Sequence, residues 1–170
     1  MNYQDIATIL NLFGQKVPPG SHITLLGGGA LILLGNDRET LDIDFIGDDI
    51  NPSELHRQII QIAKENKILF DIVPLEHFIP LPAGSNERAI PIEQFGNLSV
   101  SVADPYSIAL SKVDRGFVND YDDILFLITN GHVNLNQLEK MVQEAVSKAG
   151  KYDLNPDILL HLKELKSMFE

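Results

Sequence analysis

Two aspartates separated by one residue interrupt an apolar segment, at Asp42 and Asp44 in the sequence LDIDFI. Side chains alternate between faces along a strand, so a strand over 41–46 would bury Leu41 and Ile43 and place both carboxylates on the other face, roughly 7 Å apart. Like charges this close repel unless a cation screens them, and Mg²⁺ prefers carboxylate and phosphate oxygens as ligands. A solvent-facing sheet edge would explain the pair without a ligand.

A third aspartate, Asp71, interrupts the strongly apolar segment ILFDIVP. If this segment forms a strand beside 41–46, three carboxylates converge on one face of a sheet. Three carboxylates suit a two-metal phosphoryl-transfer site, in which the metals hold the nucleophile and the leaving group. The alternative is a partly buried aspartate that pairs with an arginine or a lysine.

Three glycines, Gly27 to Gly29, follow the apolar segment HITLL and precede a predicted short helix. Such a turn exposes backbone N–H groups where no side chain obstructs an anion, and it can cradle phosphates. It is not a Walker A loop, because no Gly-Lys-Ser/Thr follows, and Ile32 occupies a position where the dinucleotide-binding fingerprint requires glycine. Close packing of helix against strand is the structural alternative.

The remaining periodicity predicts an α+β protein with two parts. Helices are expected over 3–14 and from Asn51-Pro52 onward, and a hairpin is expected around Gly96-Asn97. After Asp104 every predicted element is a helix. The prediction is therefore an α+β domain over residues 1–103, with a mixed sheet flanked by helices, followed by a helical unit over 104–170.

The glycine turn and the aspartate pair together resemble the signature of the nucleotidyltransferase fold. The form GG-x-AL followed by R-x-T-x-D-I-D is most similar to the AbiEii-like nucleotidyltransferases of abortive-infection and toxin–antitoxin systems. The matching positions are Gly27, Gly28, Ala30, Leu31, Arg38, Thr40, Asp42 and Asp44. The sequence departs from the pattern at Gly29, where many relatives carry a serine or threonine that contacts the triphosphate.

A second block, DPYSIALSKVDRGFVNDYDDILFL, resembles the helix of this family that carries a lysine, followed by Asp-x-x-Asp before an apolar helix. The resemblance implies that Lys112 meets the phosphates and that Asp120 and Asp123 belong to the nucleotide site. The alternative for the aspartates is an acidic helix N-terminus that complements the helix dipole.

The resemblance implies transfer of a nucleoside monophosphate from an NTP to an acceptor hydroxyl, with Mg²⁺ or Mn²⁺ as cofactor. Asp42 and Asp44 would bind the metal, and Asp71 would complete a second metal site or act as the base. Lys112 and Arg38 would offset phosphate charge. The nucleotide-binding set implied is Gly27, Gly28, Gly29, Arg38, Thr40, Asp120 and Asp123.

Composition limits the partners. Thirteen Lys and Arg against 24 Asp and Glu give a net charge of −11 without any basic run, which argues against a long DNA duplex as a partner. No apolar segment approaches the ~18 residues of a membrane span, and the absence of cysteine fits the cytoplasm. The expected partners are an NTP, an acceptor (tRNA, protein or small molecule) and an antitoxin. An antibiotic-type small-molecule enzyme and a non-catalytic nucleotide-binding protein with a decayed site are the alternatives.

Overall fold

The computed structural model describes residues 1–170 and contains five strands and eight α-helices. The strands are β1 (Ser21–Leu26), β2 (Ile43–Ile46), β3 (Phe70–Val73), β4 (Ile90–Phe95) and β5 (Leu98–Val102). The helices are α1 (Tyr3–Lys16), α2 (Gly27–Leu33), α3 (Glu54–Glu65), α4 (Leu75–Phe78), α5 (Pro105–Arg115), α6 (Val118–Thr129), α7 (Leu135–Ser147) and α8 (Ile158–Ser167).

The strands form one sheet in the order β3-β2-β1-β5-β4. Strand β1 pairs antiparallel with β2 and parallel with β5, while β2 pairs parallel with β3. Strands β4 and β5 form the antiparallel hairpin that the sequence predicts around Gly96, whose φ of +59° is one that glycine adopts readily. The predicted fold class, a mixed sheet flanked by helices with further helices after it, is confirmed.

One face of the sheet carries the apolar core of the strand region. Its central side chains are almost completely buried, as are those of α1; they are Ile23, Leu25, Ile43, Phe45, Ile6, Leu10 and Phe13. The rings of Phe13 and Phe70 meet edge to face with centroids 4.9 Å apart. Each such side chain contributes about 1.5–3 kcal/mol when fully buried, which fixes which face of β2 points inward.

The start of β2 differs from the prediction. The strand begins at Ile43, and Leu41, expected on the core face, is 85% exposed. The Thr40 hydroxyl donates a hydrogen bond to the carbonyl oxygen of Asp42 at 3.1 Å, and this local turn keeps residues 40–42 out of the strand ladder. Leu41 therefore points to solvent, although Asp42 still lies beside Asp44.

Helix α3 also begins later than predicted. Ser53 is its N-cap, and its side chain accepts a hydrogen bond from the backbone N–H of His56. Serine is a preferred N-cap because its oxygen satisfies a backbone donor of the first turn. Pro52 consequently lies just outside the helix rather than in its first turn.

The chain divides into two compact units. The first comprises residues 1–74 and 89–103, which include the whole sheet and α1 to α3. The second comprises 75–88 and 104–170, which include α4 to α8. The division into domains 1–103 and 104–170 stays a prediction. None of the helices combines the length and apolar character needed to cross a membrane.

His56 of α3 packs against β2 and buries a ring nitrogen that has no hydrogen-bond partner. Its ring packs edge to face against Phe45, with centroids 4.8 Å apart, and its buried Nδ1 has no hydrogen-bond partner. Burial lowers the pKa of His56 below its ordinary value, because the charged imidazolium loses hydration.

We expect the wild-type protein to lose stability between about pH 7 and 5 partly through His56. Near and below the ordinary histidine pKa of about 6.5, the unfolded chain binds a proton that the folded chain does not. Stability therefore falls as the pH falls toward the folded-state pKa. His56→Phe should give a flatter dependence of the free energy of unfolding on pH, measured by urea denaturation. An unchanged dependence would show that His56 does not titrate in this window.

Candidate active site

Three aspartates from two neighbouring strands meet on the sheet face opposite the apolar core. Asp44 of β2 is directly opposite Asp71 of β3 in the parallel register, and Asp42 precedes β2 by one residue. One carboxylate oxygen of each residue lies within 4.8 Å of the others. Asp42 and Asp44 are partly buried, whereas Asp71 is exposed. The structure thus brings together the three carboxylates that the sequence pattern singled out.

This donor set fits a divalent cation. All three groups offer anionic oxygens, which are the ligands that Mg²⁺ and Mn²⁺ take in proteins. Two unit charges 4 Å apart repel by about 1 kcal/mol in water and by more where the surroundings are partly desolvated. A bound cation would reduce this repulsion, and one carboxylate oxygen of each residue lies close enough to the others to share one ion.

The side chains of Asp44 and Thr40 leave no room for a Cβ atom at the first two glycines. Gly27 has a φ of +70°, and a Cβ there would lie 2.6 Å from Oδ2 of Asp44. A Cβ on Gly28 would lie 2.8 Å from the Thr40 hydroxyl. The glycines form the first turn of α2, and no side chain caps this turn. The N-cap residue Leu26 has no polar side-chain atom to accept from this turn, and the turn lies against the Asp44 carboxylate.

Gly29 has different surroundings. It is buried, and its Cβ direction leads toward Ile43 at 3.7 Å, an ordinary van der Waals distance. This is the core side of the turn, whereas the corresponding directions from Gly27 and Gly28 lead to Asp44 and Thr40. Close packing thus accounts for glycine at 27 and 28, and the space at 29 accepts a small side chain.

We expect Gly27→Ala and Gly29→Ala to have opposite effects on stability. Alanine at 27 must adopt a left-handed conformation, which costs roughly 1–3 kcal/mol, and it also displaces the Asp44 carboxylate. Alanine at 29 should stabilise by up to about 1 kcal/mol through reduced freedom of the unfolded chain and better helix propensity. Thermal unfolding of the two variants checks this contrast, and equal losses would contradict it.

Arg38 and Thr40 lie on the loop between α2 and β2, beside the same turn. The Thr40 hydroxyl is 3.3 Å from Oδ1 of Asp42, and an Arg38 guanidinium nitrogen lies 3.4 Å from the Cβ position of Gly28. A surface cavity of about 330 Å³ opens here. It is lined by Met1, Arg38, Glu39, Thr40, Leu41 and Asp42.

The second predicted block forms a buried cluster of charges between α5 and α6. Lys112 is 5% exposed, and its Nζ donates to Asp123 at 2.7 Å and to Asp120 at 3.3 Å. Arg115 donates two further hydrogen bonds to Asp120. Lys112, Asp120 and Asp123 therefore lie together in the second unit, with the ammonium held between the two carboxylates.

Asp120 is held in its ionised form. Burial by itself would raise the pKa of this carboxyl, but the hydrogen bonds from Arg115 and the positive charges of Lys112 and Arg115 hold it below the ordinary value. The backbone N–H of Phe117, at the start of α6, also donates to Asp120 at 3.3 Å. The cluster thus joins two consecutive helices, and the roles of its members toward a nucleotide stay predictions.

Comparison with known proteins assigns the chain to a family. Residues 5–161 match the family model described as "Nucleotidyltransferase of unknown function (DUF6036)". No curated protein matches the chain. A similar solved structure is the crystal structure of an antigenic nucleotidyltransferase-like protein from Paracoccidioides brasiliensis, with 17% identity, a TM-score of 0.49, and 96% of this chain and 94% of that chain covered. Since the family model spans most of the sequence, the chain belongs to the DUF6036 nucleotidyltransferase family.

Proposed function

We propose that the protein transfers a nucleoside monophosphate from an NTP to an acceptor hydroxyl, with Mg²⁺ or Mn²⁺ bound by Asp42, Asp44 and Asp71. The observation that carries this proposal is the convergence of the three carboxylates within 4.8 Å on the face beside Gly27. Membership of a nucleotidyltransferase family supports the reaction class.

In this proposal the metal and the triphosphate bind between the aspartates and the glycine turn. Asp42 and Asp44 would hold the metal next to the first turn of α2, and the backbone N–H groups of this turn would donate hydrogen bonds to the triphosphate. Arg38 and Thr40 adjoin this turn, and the guanidinium offsets phosphate charge as it develops on the leaving pyrophosphate. When bound, the metal supplies charge neutralisation and alignment for in-line displacement.

Asp71 is the member of the triad that faces solvent, so an acceptor can approach it directly. In this proposal Asp71 takes the proton of the acceptor hydroxyl or completes a second metal site. Either role acts on the acceptor side of the reaction, whereas the Asp44 carboxylate lies against the glycine turn.

The test of the proposed function is incubation of the protein with each α-labelled NTP and Mg²⁺ or Mn²⁺. Three acceptor conditions are compared, namely bulk tRNA, a panel of aminoglycosides, and the protein alone. The expected result is metal-dependent release of pyrophosphate with label appearing on one acceptor class. Metal-dependent NTP binding without pyrophosphate release under all conditions would favour the non-catalytic alternative, and absence of binding would overturn the assignment of the site.

We expect Asp71→Asn to reduce transfer far more than it reduces NTP binding. The lost carboxylate acts on the acceptor or the second metal, so kcat should fall by about 10²–10⁴, the usual contribution of a general base. Calorimetry of Mg²⁺–NTP binding and a pyrophosphate-release assay measure the two effects separately. Equal losses in both would place Asp71 among the nucleotide ligands instead.

The R-x-T-x-D-I-D match supports a further biological proposal, that the protein is the toxin of a toxin–antitoxin pair that acts in the cytoplasm on RNA or protein. Induced expression in bacteria should then arrest growth, and Asp44→Asn should relieve the arrest. Unimpaired growth with abundant wild-type protein would contradict the toxin role while leaving the chemistry open.

A further inference from the structure

A second polar group occupies the sheet face that carries the carboxylates. Leu26 of β1 is paired with Asp44, and Thr24 and His22 lie two and four residues before Leu26, so all share one face. His22 is in turn paired with Ser99 of β5. His22 is exposed, and Thr24 and Ser99 are partly exposed.

Hydrogen bonds order these three side chains into a relay. The imidazole Nδ1 of His22 is 2.9 Å from the Ser99 hydroxyl oxygen, and Nε2 is 3.4 Å from the Thr24 hydroxyl oxygen. The Ser99 hydroxyl donates its hydrogen to the carbonyl oxygen of Ser21 at 3.3 Å. In the tautomer that keeps this bond, Nδ1–H of His22 donates to the Ser99 oxygen and the lone pair of Nε2 is directed at Thr24.

This arrangement is the geometry of an activated nucleophile. A hydroxyl lies within reach of an imidazole nitrogen that can take its proton, and a third group orients the imidazole through its other nitrogen. The distance of 3.4 Å is longer than a tight hydrogen bond, as is common before substrate binds. Thr24 is a diagonal cross-strand neighbour of Asp44, and such pairs are about 7–8 Å apart.

We propose that Thr24 is an acceptor hydroxyl within the chain, so that the protein nucleotidylates itself. The Thr24 oxygen attacks the α-phosphorus of the bound NTP, and the bond between this phosphorus and the bridging oxygen to the β-phosphorus breaks. Pyrophosphate leaves with the electron pair, and the hydroxyl proton passes to Nε2 of His22. The product is a phosphodiester between Thr24 and the nucleoside monophosphate. This inference rests on the proposed function.

The other hydroxyls near the carboxylates are less suited. The Thr40 hydroxyl donates to Asp42, and the Ser99 hydroxyl donates to Ser21, so each has its proton engaged. Ser101 is buried at 8% exposure. The Thr24 hydroxyl, in contrast, lies beside Nε2 of His22, is partly exposed, and is on the strand that pairs with the strand of Asp44.

The test uses the full chain with Mg²⁺ and each labelled NTP in turn, with and without bulk tRNA or aminoglycosides as added acceptors, followed by intact-mass measurement and peptide mapping. The expected result is a gain of one nucleoside monophosphate on the peptide that contains Thr24. Pyrophosphate release with label on an added acceptor but none on Thr24 would overturn this inference and leave the proposed function standing. No pyrophosphate release with any NTP would remove both.

Variants separate the nucleophile from its base. Thr24→Val, which preserves shape and strand propensity, should abolish the mass gain, and Thr24→Ser should retain it. His22→Gln should slow labelling about 10²-fold or more, because the proton acceptor is lost. Thr8→Val removes an exposed threonine hydroxyl on α1 and should leave labelling unchanged. Equal labelling of the Thr24→Val and wild-type proteins would refute the assignment.

Discussion

The double variant Asp42→Asn, Asp44→Asn should lose metal-dependent NTP binding and nucleotidyl transfer while remaining folded. Asparagine keeps the shape of both side chains but removes two of the three negative charges within 4.8 Å that could hold a divalent cation. Removal of even an outer-shell partner of a metal ligand typically costs 10–100-fold, so loss of two direct ligands should exceed about 10²-fold. Calorimetric titration with Mg²⁺–NTP and a pyrophosphate-release assay measure the effect.

The same variant should be as stable as the wild type or more stable. The repulsion among the carboxylates disappears, and an asparagine oxygen at 42 can still face the Thr40 hydroxyl. The matched control is Asp37→Asn, Asp49→Asn, which removes two exposed charges from neighbouring loops. If this control weakens Mg²⁺–NTP binding as much as the site variant does, the effect reflects general charge and the metal assignment fails.

Strand periodicity makes the aspartate triad predictable from the sequence. Aspartates at alternate positions must share a face, and Asp71 in an apolar strand had no local explanation. The direct opposition of Asp44 and Asp71 depends on the parallel pairing of β2 with β3, which no local pattern encodes. The late start of β2 was missed because a side-chain hydrogen bond from Thr40 competes with the strand.

The relay of Thr24, His22 and Ser99 was not recognised from the sequence. The alternation in HIT indicates that His22 and Thr24 share one face of their strand, and the alternation in SVS indicates the same for Ser99 and Ser101. Their meeting requires β1 and β5, which are separated by more than seventy residues in the chain, to be adjacent and parallel. Long-range pairing of this kind is decided by the packing of the whole sheet.

Lys112 shows why a motif alone does not define a role. The family resemblance implies contact with phosphates, and the structure places the ammonium between Asp120 and Asp123 in a buried cluster. Both descriptions are compatible with the same residue, because a buried lysine can hold two helices together and also contribute positive potential. Stability and nucleotide affinity must therefore be measured on the same variants.

We expect Lys112→Met to destabilise the protein by about 3–5 kcal/mol, because it removes one partner of a buried ion pair and leaves charged carboxylates behind. Urea denaturation measures the free energy of unfolding. The control Lys163→Met replaces an exposed lysine of α8 and should remain within about 0.5 kcal/mol of the wild type. A similarly small effect at 112 would mean that the cluster contributes little to folding.

The double variant Lys112→Met, Asp123→Leu should recover most of the lost stability, since apolar replacement of a buried pair is often neutral or stabilising. Asp120 keeps its hydrogen bonds from Arg115 and from the backbone of Phe117. This folded variant lacks both the ammonium and the Asp123 carboxylate, so its Mg²⁺–NTP affinity tests whether this ion pair contributes to nucleotide binding. A bond to a charged group is worth about 1.5–3 kcal/mol, so a phosphate contact predicts at least tenfold weaker binding. Unchanged affinity would show that Lys112 is not required for nucleotide binding, and that its contribution is to hold α5 against α6.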